Sequence, residues 1–320
     1  MLHDYPLVSI VIPIFNVSDY VKECLESVIK QTYRNIEILC IDDCGTDNSM
    51  AIVNTYANKD TRIRILKHSE NKGLAPSRNF GITEAQGEFI FFLDSDDYIH
   101  TTTIQKLIGK ATTSKADIVL CDFNIFLDQH LCDTSLNKRI SKLNAYLTAD
   151  FDSIYVTEKN YYLSLSKVSC VACGKLFKTK FITDNNLRFI NEKVLHEDNG
   201  FHAKFLACNP HICCIHKKLY FYRIRPNSIT QNTNNKANKP LNLMRSLQDS
   251  VSFILNDKNP SLIDELQDFY YSLFQTKNLF IKFYWGKRRK ILKLLCIPVI
   301  NYHLDGNNTK KLKVLGIRII

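Results

Sequence analysis

The chain has 320 residues, of which 42 are Lys or Arg and 32 are Asp or Glu, so its formal net charge is +10. This length is enough for one large domain or two modest ones with a sizeable core. The excess of positive charge favours an anionic partner, such as nucleic acid, an anionic membrane or an anionic small molecule. The sequence contains no run of 18 apolar residues, so no membrane-spanning helix is predicted.

The cysteines and the N-terminal residues predict a cytoplasmic protein with reduced thiols. The 11 cysteines are an odd number scattered along the chain, and the first residues lack the features of a signal peptide. Cys170 and Cys173 form a C-x-x-C, but the Cys and His residues downstream lack the regular spacing of a second zinc half-site. Buried structural cysteines are therefore favoured over a zinc site. The downstream residues are Cys208, His211, Cys213, Cys214 and His216.

The first hundred residues alternate between predicted strands and predicted helices. Apolar runs rich in Val and Ile are typical of strands buried on both faces, and an apolar stripe is typical of a surface helix. The predicted strands are 7–15, 36–42, 62–68 and 88–93. The predicted helices are 18–31, with Ser18 as N-cap, 48–58, and 74–86, closed by Gly87 at its C′ position. This alternation predicts an α/β fold with a mostly parallel central sheet flanked by helices.

The second half of the chain is less regular. A helix near 102–114 and a strand at 116–126 continue the alternation, a helix starts near Glu197, and the pattern from about residue 240 is helical. We therefore predict a main domain at 1–235 and a helical, basic and apolar C-terminal extension at 236–320. Within the main domain, a nucleotide-binding part would occupy about 1–125 and an acceptor part about 126–235.

Polar residues gather where the predicted strands end. Asn16 follows the first strand, Asp42 and Asp43 end the second, and an acidic cluster (Asp94 to Asp97) follows the fourth. Ligands of open α/β sheets bind at the carboxyl ends of the strands. Because like charges repel, the acidic cluster is either a solvated turn or a cation site.

Three stretches together resemble the family 2 glycosyltransferases with the GT-A fold. They are 8–49, which ends in "CIDDCGTDNS", 71–97, which contains "NKGLAPSRNFG" and "FLDSDD", and 174–206, which contains "HEDNGF". The resemblance is close over about the first 100 residues and looser to about residue 230. It implies transfer of a sugar from a nucleotide-sugar to an acceptor hydroxyl, with inversion at the anomeric carbon.

By this resemblance the acidic cluster is a D-x-D motif that binds Mn²⁺ or Mg²⁺. An anionic sugar nucleotide and an anionic cluster can meet only through a cation, and both metals prefer oxygen ligands. If the chain is extended here, Asp94 and Asp96 point to one side and Asp97 to the other. We therefore predict Asp96 as the metal ligand, Asp94 as a ribose or metal contact, and a supporting role for Asp97.

The resemblance also implies a set of nucleotide contacts. Asp43 would accept a hydrogen bond from the base, most often uracil, in a loop walled by Pro13, Phe15 and Asn16. Phe15 could stack on the base, although an aromatic residue at a strand end is as often part of the core. Arg78 would face the nucleotide, because a guanidinium suits phosphate; an exposed helical arginine is the alternative.

The acidic pair of "HEDNGF" corresponds to the family's acceptor-side motif. Asp198 would remove the proton from the acceptor hydroxyl as general base, and Glu197 would orient the acceptor or cap the helix. Ordinary acidic enrichment in a first helical turn is the alternative for this pair. Further along, Arg223 and Arg225 could approach phosphate when the loop after Pro226 closes.

The tail combines basic, aromatic and aliphatic residues, in "FIKFYWGKRRKILKLLCIPVI" at 280–300 and in "KKLKVLGIRII" at 310–320. This composition predicts a surface that lies on an anionic membrane. Helices packed on the catalytic domain with a solvated basic face are the alternative. No recognised nucleic-acid module is present, so nucleic acid is not a predicted partner.

The predicted function is that of a metal-dependent inverting glycosyltransferase, peripheral on the inner face of the cytoplasmic membrane. Its donor would be a UDP-sugar. Its acceptor would be a lipid-linked glycan in the synthesis of lipopolysaccharide, lipooligosaccharide or capsule. One alternative is a sugar-nucleotide pyrophosphorylase, but "PIFNVSDY" lacks the glycine-rich loop that such enzymes carry after the first strand. A non-catalytic, membrane-associated nucleotide- or glycan-binding module is the other.

Overall fold

The computed structural model describes two compact units, Met1–Leu262 and Ile263–Ile320. The described residues are 5–129, 131, 136–226, 234–257, 260–266 and 268, together with the strands between 281 and 319. The first unit contains all the predicted site residues. It also includes the helix at Asn234–Asp257, which the sequence analysis assigned to the extension.

The first unit is built on a nine-stranded sheet. Its strands are β1 (Val8–Ile14), β2 (Ile36–Asp42), β3 (Ile63–Lys67), β4 (Phe89–Phe92), β5 (Tyr98–Ile99), β6 (Ile118–Leu127), β7 (Ser153–Tyr155), β8 (Lys175–Lys178) and β9 (His211–Ile224). The order is β3-β2-β1-β4-β8-β6-β9-β5, with β7 paired to β9. The strands β1 to β4 are parallel to one another, whereas β8 is antiparallel to both of its neighbours, β4 and β6. The predicted α/β fold with a mostly parallel sheet is confirmed.

Helices cover this sheet. They are α1 (Val21–Ile29), α2 (Ser49–Ala57), α3 (Leu74–Glu84), α4 (Thr103–Ser114), α5 (Leu136–Leu147), α6 (Tyr161–Lys167), α7 (Thr179–Asp184), α8 (Glu197–Leu206) and α9 (Asn234–Asp257). Every residue of β1, β2 and β4 is buried between them, as the mainly apolar runs of these strands predict. None of the helices in the described part of the chain is both long and apolar enough to cross a membrane.

Two predicted helix ends are wrong. Tyr20, not Ser18, is the N-cap of α1, and the backbone N–H of Ser18 instead donates to Asp47 Oδ2 at 2.8 Å. At the other end of α3 the C-cap is Ala85, and Gly87 lies beyond the helix. A Cβ at Gly87 would lie 2.7 Å from the backbone nitrogen of Ser9, so this glycine permits close approach to β1 rather than capping α3.

The second unit differs from the predicted helical extension. Its strands β10 (Ile281–Gly286), β11 (Arg289–Leu294), β12 (Ile297–Leu304), β13 (Lys310–Val314) and β14 (Ile317–Ile319) form an antiparallel sheet in chain order. The helical prediction is wrong for these strands, although it holds for α9. Aromatic and β-branched residues, abundant in "IKFYWG" and "IPVINYHL", favour strands over helices. The short runs of basic residues between these stretches obscured the alternation of side chains that is typical of strands.

Candidate functional site

The acidic cluster lies directly after β4, at the carboxyl end of the parallel strands. The side chains of Asp94 and Asp96 are 24% and 22% exposed, whereas Asp97 is only 2% exposed. Two carboxylates therefore reach the surface and the third points into the protein. The chain is not extended here, because the backbone N–H of Asp97 donates to the Asp94 carbonyl at 3.0 Å and closes a turn. The turn, and not the predicted alternation along an extended segment, separates Asp97 from the other two side chains.

Asp97 holds the cluster to strand β9. Its Oδ2 accepts a hydrogen bond from the Tyr220 hydroxyl at 2.8 Å, and its Oδ1 accepts one from the backbone N–H of Arg223 at 2.7 Å. The Tyr220 hydroxyl in turn accepts the backbone N–H of Asp94 at 3.2 Å. Burial raises the pKa of Asp97 well above its usual range, and the charges of Asp96 and Asp94 raise it further. These contacts suit a supporting role for Asp97.

Asp96 already has a cationic partner. The Nε of Arg225 donates to Asp96 Oδ2 at 2.6 Å, and the Nε of Arg223 donates to the backbone carbonyl of Asp96 at 3.0 Å. Burial raises the pKa of Asp96, and Arg225 counteracts that rise. The two arginines that were expected to approach phosphate therefore lie against the predicted metal ligand. The loop residues 227–233, after Pro226, lie outside the described residues.

Arg78 connects the acidic cluster to the start of α8. Its side chain is 1% exposed, and its Nη2 donates to Asp94 Oδ1 at 2.8 Å. Its Nη1 donates to Glu197 Oε1 and to Asp198 Oδ1, both at 2.8 Å. The alternative of an exposed helical arginine is therefore wrong, and a contact of Arg78 with the nucleotide stays a prediction. A guanidinium buried this deeply needs anionic partners within the protein, and three carboxylates supply them.

Burial tunes the two acidic residues of α8. It raises the pKa of Glu197 to about 7, with a further rise from Asp198 and an opposing effect of Arg78. Burial also raises the pKa of Asp198, again opposed by Arg78. A carboxylate with a raised pKa is a stronger base once it is ionised. Glu197 is therefore suited to accepting a proton near neutral pH, and the pKa of Asp198 is shifted in the same direction.

The contact between α8 and α9 fixes where this acidic pair lies. His196, at the N-cap of α8, has a left-handed backbone conformation with φ 65°. The Ser246 hydroxyl on α9 donates to the His196 carbonyl at 3.0 Å and accepts the Gly200 N–H at 2.9 Å. Near the end of α8, Lys204 forms an ion pair with Asp249 at 2.6 Å. The first turn of α8 is thereby held beside Arg78.

Asp43 lies at the end of β2 and is 3% exposed. Its carboxylate accepts the backbone N–H groups of Lys72 at 2.8 Å and Gly73 at 2.9 Å, and the Asn71 side-chain amide at 3.0 Å. A carboxylate offers about four acceptor positions, so these bonds use most of its capacity. Asp43 thus organises the loop before α3, and its contact with a base stays a prediction.

The residues after β1 divide into exposed and buried ones. Phe15 is 44% exposed and is free to stack on a ligand. Asn16 adopts a left-handed backbone conformation with φ 52°, and its Oδ1 accepts the Thr46 N–H at 2.8 Å. Pro13 is buried in β1 opposite Ile41 of β2. The structure therefore does not bring Pro13 to the surface of the site, because β1 continues beyond it.

Sequence reasoning missed two buried residues behind the site. One is Tyr220, whose hydroxyl joins Asp97 to the Asp94 backbone. The other is Lys175, which is 1% exposed and donates to Ser169 Oγ at 3.1 Å and to the Val171 carbonyl. Burial lowers the pKa of Lys175, while the nearby Cys173 thiol and Asp198 act in the opposite direction.

Comparison with known proteins connects this geometry to a family. The model of glycosyl transferase family 2 matches residues 9–179. An uncharacterized glycosyltransferase of Bacillus subtilis strain 168, EpsJ, is 31% identical over 232 residues, which are 71% of this chain and 63% of EpsJ. An uncharacterized glycosyltransferase of Haemophilus influenzae is 32% identical over 236 residues, 71% of this chain and 83% of that protein. The chain therefore spans less than two thirds of EpsJ but most of the Haemophilus protein.

Solved structures share the fold. S. aureus TarS 1–349 in complex with UDP superimposes with a TM-score of 0.62 at 24% identity, over 84% of this chain and 72% of that one. The mannosyltransferase PcManGT of Pyrobaculum calidifontis, in complex with GDP-Man and Mn²⁺, gives a TM-score of 0.54 at 13% identity, over 86% and 76%. Both likenesses support the GT-A fold that the sequence motifs implied. With the family match and the relatives above 30% identity, they establish that this chain belongs to glycosyl transferase family 2.

Proposed function

We propose that this protein is an inverting glycosyltransferase that moves a sugar from a UDP-sugar to a glycan hydroxyl, with Asp198 as the general base. The observation that carries the proposal is the bridge made by Arg78. One buried guanidinium links Asp94, on the donor side, to Asp198, on the acceptor side, with hydrogen bonds of 2.8 Å at each end. Such a bridge fixes the distance between a base and a donor site, which lowers the entropic cost of reaction.

The acidic pair of α8 supplies the proton transfer. Asp198 accepts the proton of the acceptor hydroxyl as the oxygen attacks the anomeric carbon, and the bond to the nucleoside diphosphate breaks. A single displacement needs one base on the face opposite the leaving group. Glu197 shares Nη1 of Arg78 with Asp198, so it orients both the guanidinium and the base.

Asp96 and Asp94 would hold Mn²⁺ or Mg²⁺. Their half-buried carboxylates match the oxygen ligands that both ions prefer, and the Arg225 guanidinium against Asp96 indicates that a positive charge is stable there. When bound, such an ion stabilises negative charge on the leaving diphosphate. The Mn²⁺ in the complex of PcManGT supports this assignment.

The UDP part of the donor would bind across the ends of β1 and β2. The exposed ring of Phe15 would stack on the base, beside Asn16, while Asp43 keeps one acceptor position for it. The UDP bound to TarS, which shares this fold, supports uracil as the base. Pro13 would act only indirectly, by holding the end of β1 in the sheet.

The acceptor would be a lipid-linked glycan of a bacterial surface polysaccharide, such as lipopolysaccharide, lipooligosaccharide or capsule. The basic and aromatic tail supports this part of the proposal, since it suits the cytoplasmic surface of an anionic membrane. An enzyme held at that surface would meet its acceptor in two dimensions rather than in free solution.

Calorimetric titration with UDP tests the nucleotide site. We expect binding that requires Mn²⁺ and is lost in Asp96→Ala, because that change removes the predicted metal ligand. Asp198→Asn should keep this binding and lose turnover when UDP-sugars are screened. Absence of UDP binding with and without Mn²⁺ would contradict the UDP assignment. UDP binding without turnover of any UDP-sugar would instead favour the non-catalytic binding module.

A further inference from the structure

An irregularity between β6 and β9 brings three potential metal ligands together, away from the proposed active site. The neighbours Cys121 and Asp122 on β6 face Ile215 and Lys218 on β9. His216 and the residue after it therefore have no partner on β6, and β9 bulges there. Bulges of this kind re-aim side chains, and this one directs His216 toward Asp122.

The three ligand atoms are close to one another. Atoms of Asp122, Cys214 and His216 all lie within 4.8 Å. His216 Nδ1 is 3.8 Å from Asp122 Oδ2 and 3.9 Å from Cys214 Sγ. Tetrahedral zinc with bonds of about 2.0–2.3 Å needs ligand atoms roughly 3.3–3.7 Å apart. Small side-chain rotations would bring this set to that spacing.

Asp122 gives independent evidence for a missing cation. The residue is 7% exposed, and its Oδ1 is buried without a hydrogen-bond partner among the described residues. An unsatisfied oxygen of a buried carboxylate is costly. A cation held by the Asp122 carboxylate beside Cys214 would remove that cost, because both side chains are buried.

The second ring nitrogen of His216 contacts a carboxylate, an arrangement that is common for histidine ligands of metals. Its Nε2 lies 2.9 Å from Oδ1 of Asp152, and Asp152 itself is largely exposed. Histidine ligands of metals commonly donate their second N–H to a carboxylate, which fixes the ring and makes the coordinating nitrogen more basic. Asp152 is thus placed to orient Nδ1 of His216 toward Asp122 and Cys214.

We propose that Asp122, Cys214 and His216 form a zinc site, with Asp152 as the positioning residue for the histidine. A ligand set of one sulfur, one nitrogen and one oxygen suits Zn²⁺ better than Mg²⁺ or Mn²⁺. Cys214 binds as a thiolate and releases its proton to solvent, and water completes the tetrahedron. The site fastens β9 to β6 at the bulge, seven residues before Arg223 and roughly 20 Å from it along an extended strand.

Metal content and Co²⁺ absorption of the full-length protein test this proposal. After zinc loading and gel filtration, we expect one bound equivalent in the wild type. We also expect a thiolate-to-cobalt charge-transfer band in the near ultraviolet when Co²⁺ replaces zinc. Cys214→Ser should lose both signals. Asp152→Asn should keep the band but weaken zinc binding by about 10- to 100-fold.

Two control variants distinguish zinc bound at this site from zinc bound elsewhere on the protein. Cys213→Ser makes the same change one residue away, on the opposite face of β9, where the thiol contacts Ser153 and His211. Asp96→Ala removes the predicted ligand of the acidic cluster. Both should retain zinc and the cobalt band. Loss of zinc in either, or no bound zinc in the wild type, would overturn the proposal.

His216→Gln is a second test of the zinc site, which is needed because Cys214→Ser could lose zinc simply by misfolding. The His216 side chain is 44% exposed, so this variant should keep the circular dichroism spectrum and melting behaviour of the wild type while losing zinc. Zinc that stays bound in folded His216→Gln would equally overturn the proposal.

Discussion

At the scale of single residues, the site places more negative than positive charge around one guanidinium. Arg78 binds the three carboxylates of Asp94, Glu197 and Asp198. Ionised Glu197 is nevertheless unfavourable in the folded state, because burial raises its pKa to about 7. A carboxyl group whose pKa is higher in the folded state stabilises that state when protonated. This contribution is complete below the pKa of the unfolded chain and is lost as the pH rises toward 7.

Glu197→Gln should therefore stabilise the protein above pH 7 and have little effect near pH 4. The amide does not ionise, and its oxygen can still accept a hydrogen bond from Arg78. We expect a gain of about 3 kcal/mol in the free energy of unfolding at pH 8, from the size of the pKa shift. Urea unfolding at pH 8 and pH 4.5 measures the difference.

Glu192→Gln is the control for this change. Glu192 is 55% exposed and pairs with Arg245 at 3.3 Å, and exposed ion pairs contribute little. Its effect should stay within about 0.5 kcal/mol at both pH values. A Glu197→Gln variant that is destabilised at pH 8 would show that ionised Glu197 is needed to hold Arg78.

At the scale of elements, the sequence predicted the positions of β1, β2 and β4 more accurately than it predicted which residues the charged side chains contact. The runs that form β1, β2 and β4 are apolar except for Ser9, Glu37 and Asp42, so burial on both faces left little freedom in their assignment. The ion pairs of Arg78 with Asp94, Glu197 and Asp198 were not predicted, because a helical pattern does not reveal which side of α3 packs inward against α8. Likewise, the pairing of Arg225 with Asp96 depends on where β9 lies in the sheet, which no local pattern specifies.

The contact of α8 with α9 leads to a test at this scale. A Cβ at Gly200 would lie 2.8 Å from Ser246 Oγ and 3.0 Å from the Ser246 carbonyl. Gly200→Ala should therefore push the two helices apart and displace Asp198 from Arg78. We expect at least a tenfold loss in kcat/KM and a destabilisation of about 1–3 kcal/mol, measured by steady-state kinetics and thermal unfolding.

Gly109→Ala provides the matched control in α4. No atom lies within 4 Å of a Cβ built at Gly109, so the same substitution meets open space. It should leave activity unchanged and stabilise the helix by about 0.5–1 kcal/mol. Equal losses of activity in both variants would mean that the α8–α9 contact does not position the base.

At the scale of the whole molecule, the positive charge is concentrated in the tail. Residues 281–320 contain ten Lys or Arg and one Asp, whereas the rest of the chain has 32 basic and 31 acidic residues. The part that carries the proposed active site is thus close to neutral. Electrostatic attraction to an anionic surface should therefore come from the tail, in agreement with the proposed membrane association.

Replacing five basic residues of the tail by Gln should weaken binding to vesicles that contain phosphatidylglycerol. The residues are Lys287, Arg288, Arg289, Lys290 and Lys293. Each basic residue near an anionic membrane contributes about 1 kcal/mol, so we expect at least a hundredfold loss of affinity in vesicle sedimentation. Wild-type binding should also decrease with salt, because screening shortens the range of the attraction.

A variant of equal charge separates this tail effect from net charge alone. Its five Gln replacements are at exposed lysines of the first unit, namely Lys22, Lys59, Lys178, Lys217 and Lys218. If the tail is the membrane-binding surface, this variant should bind vesicles within a fewfold of the wild type. Turnover of a soluble acceptor should be the same in both variants, since neither changes the site at Asp198. Equal losses of vesicle binding would instead mean that the overall charge of the protein, and not the tail, drives association with the membrane.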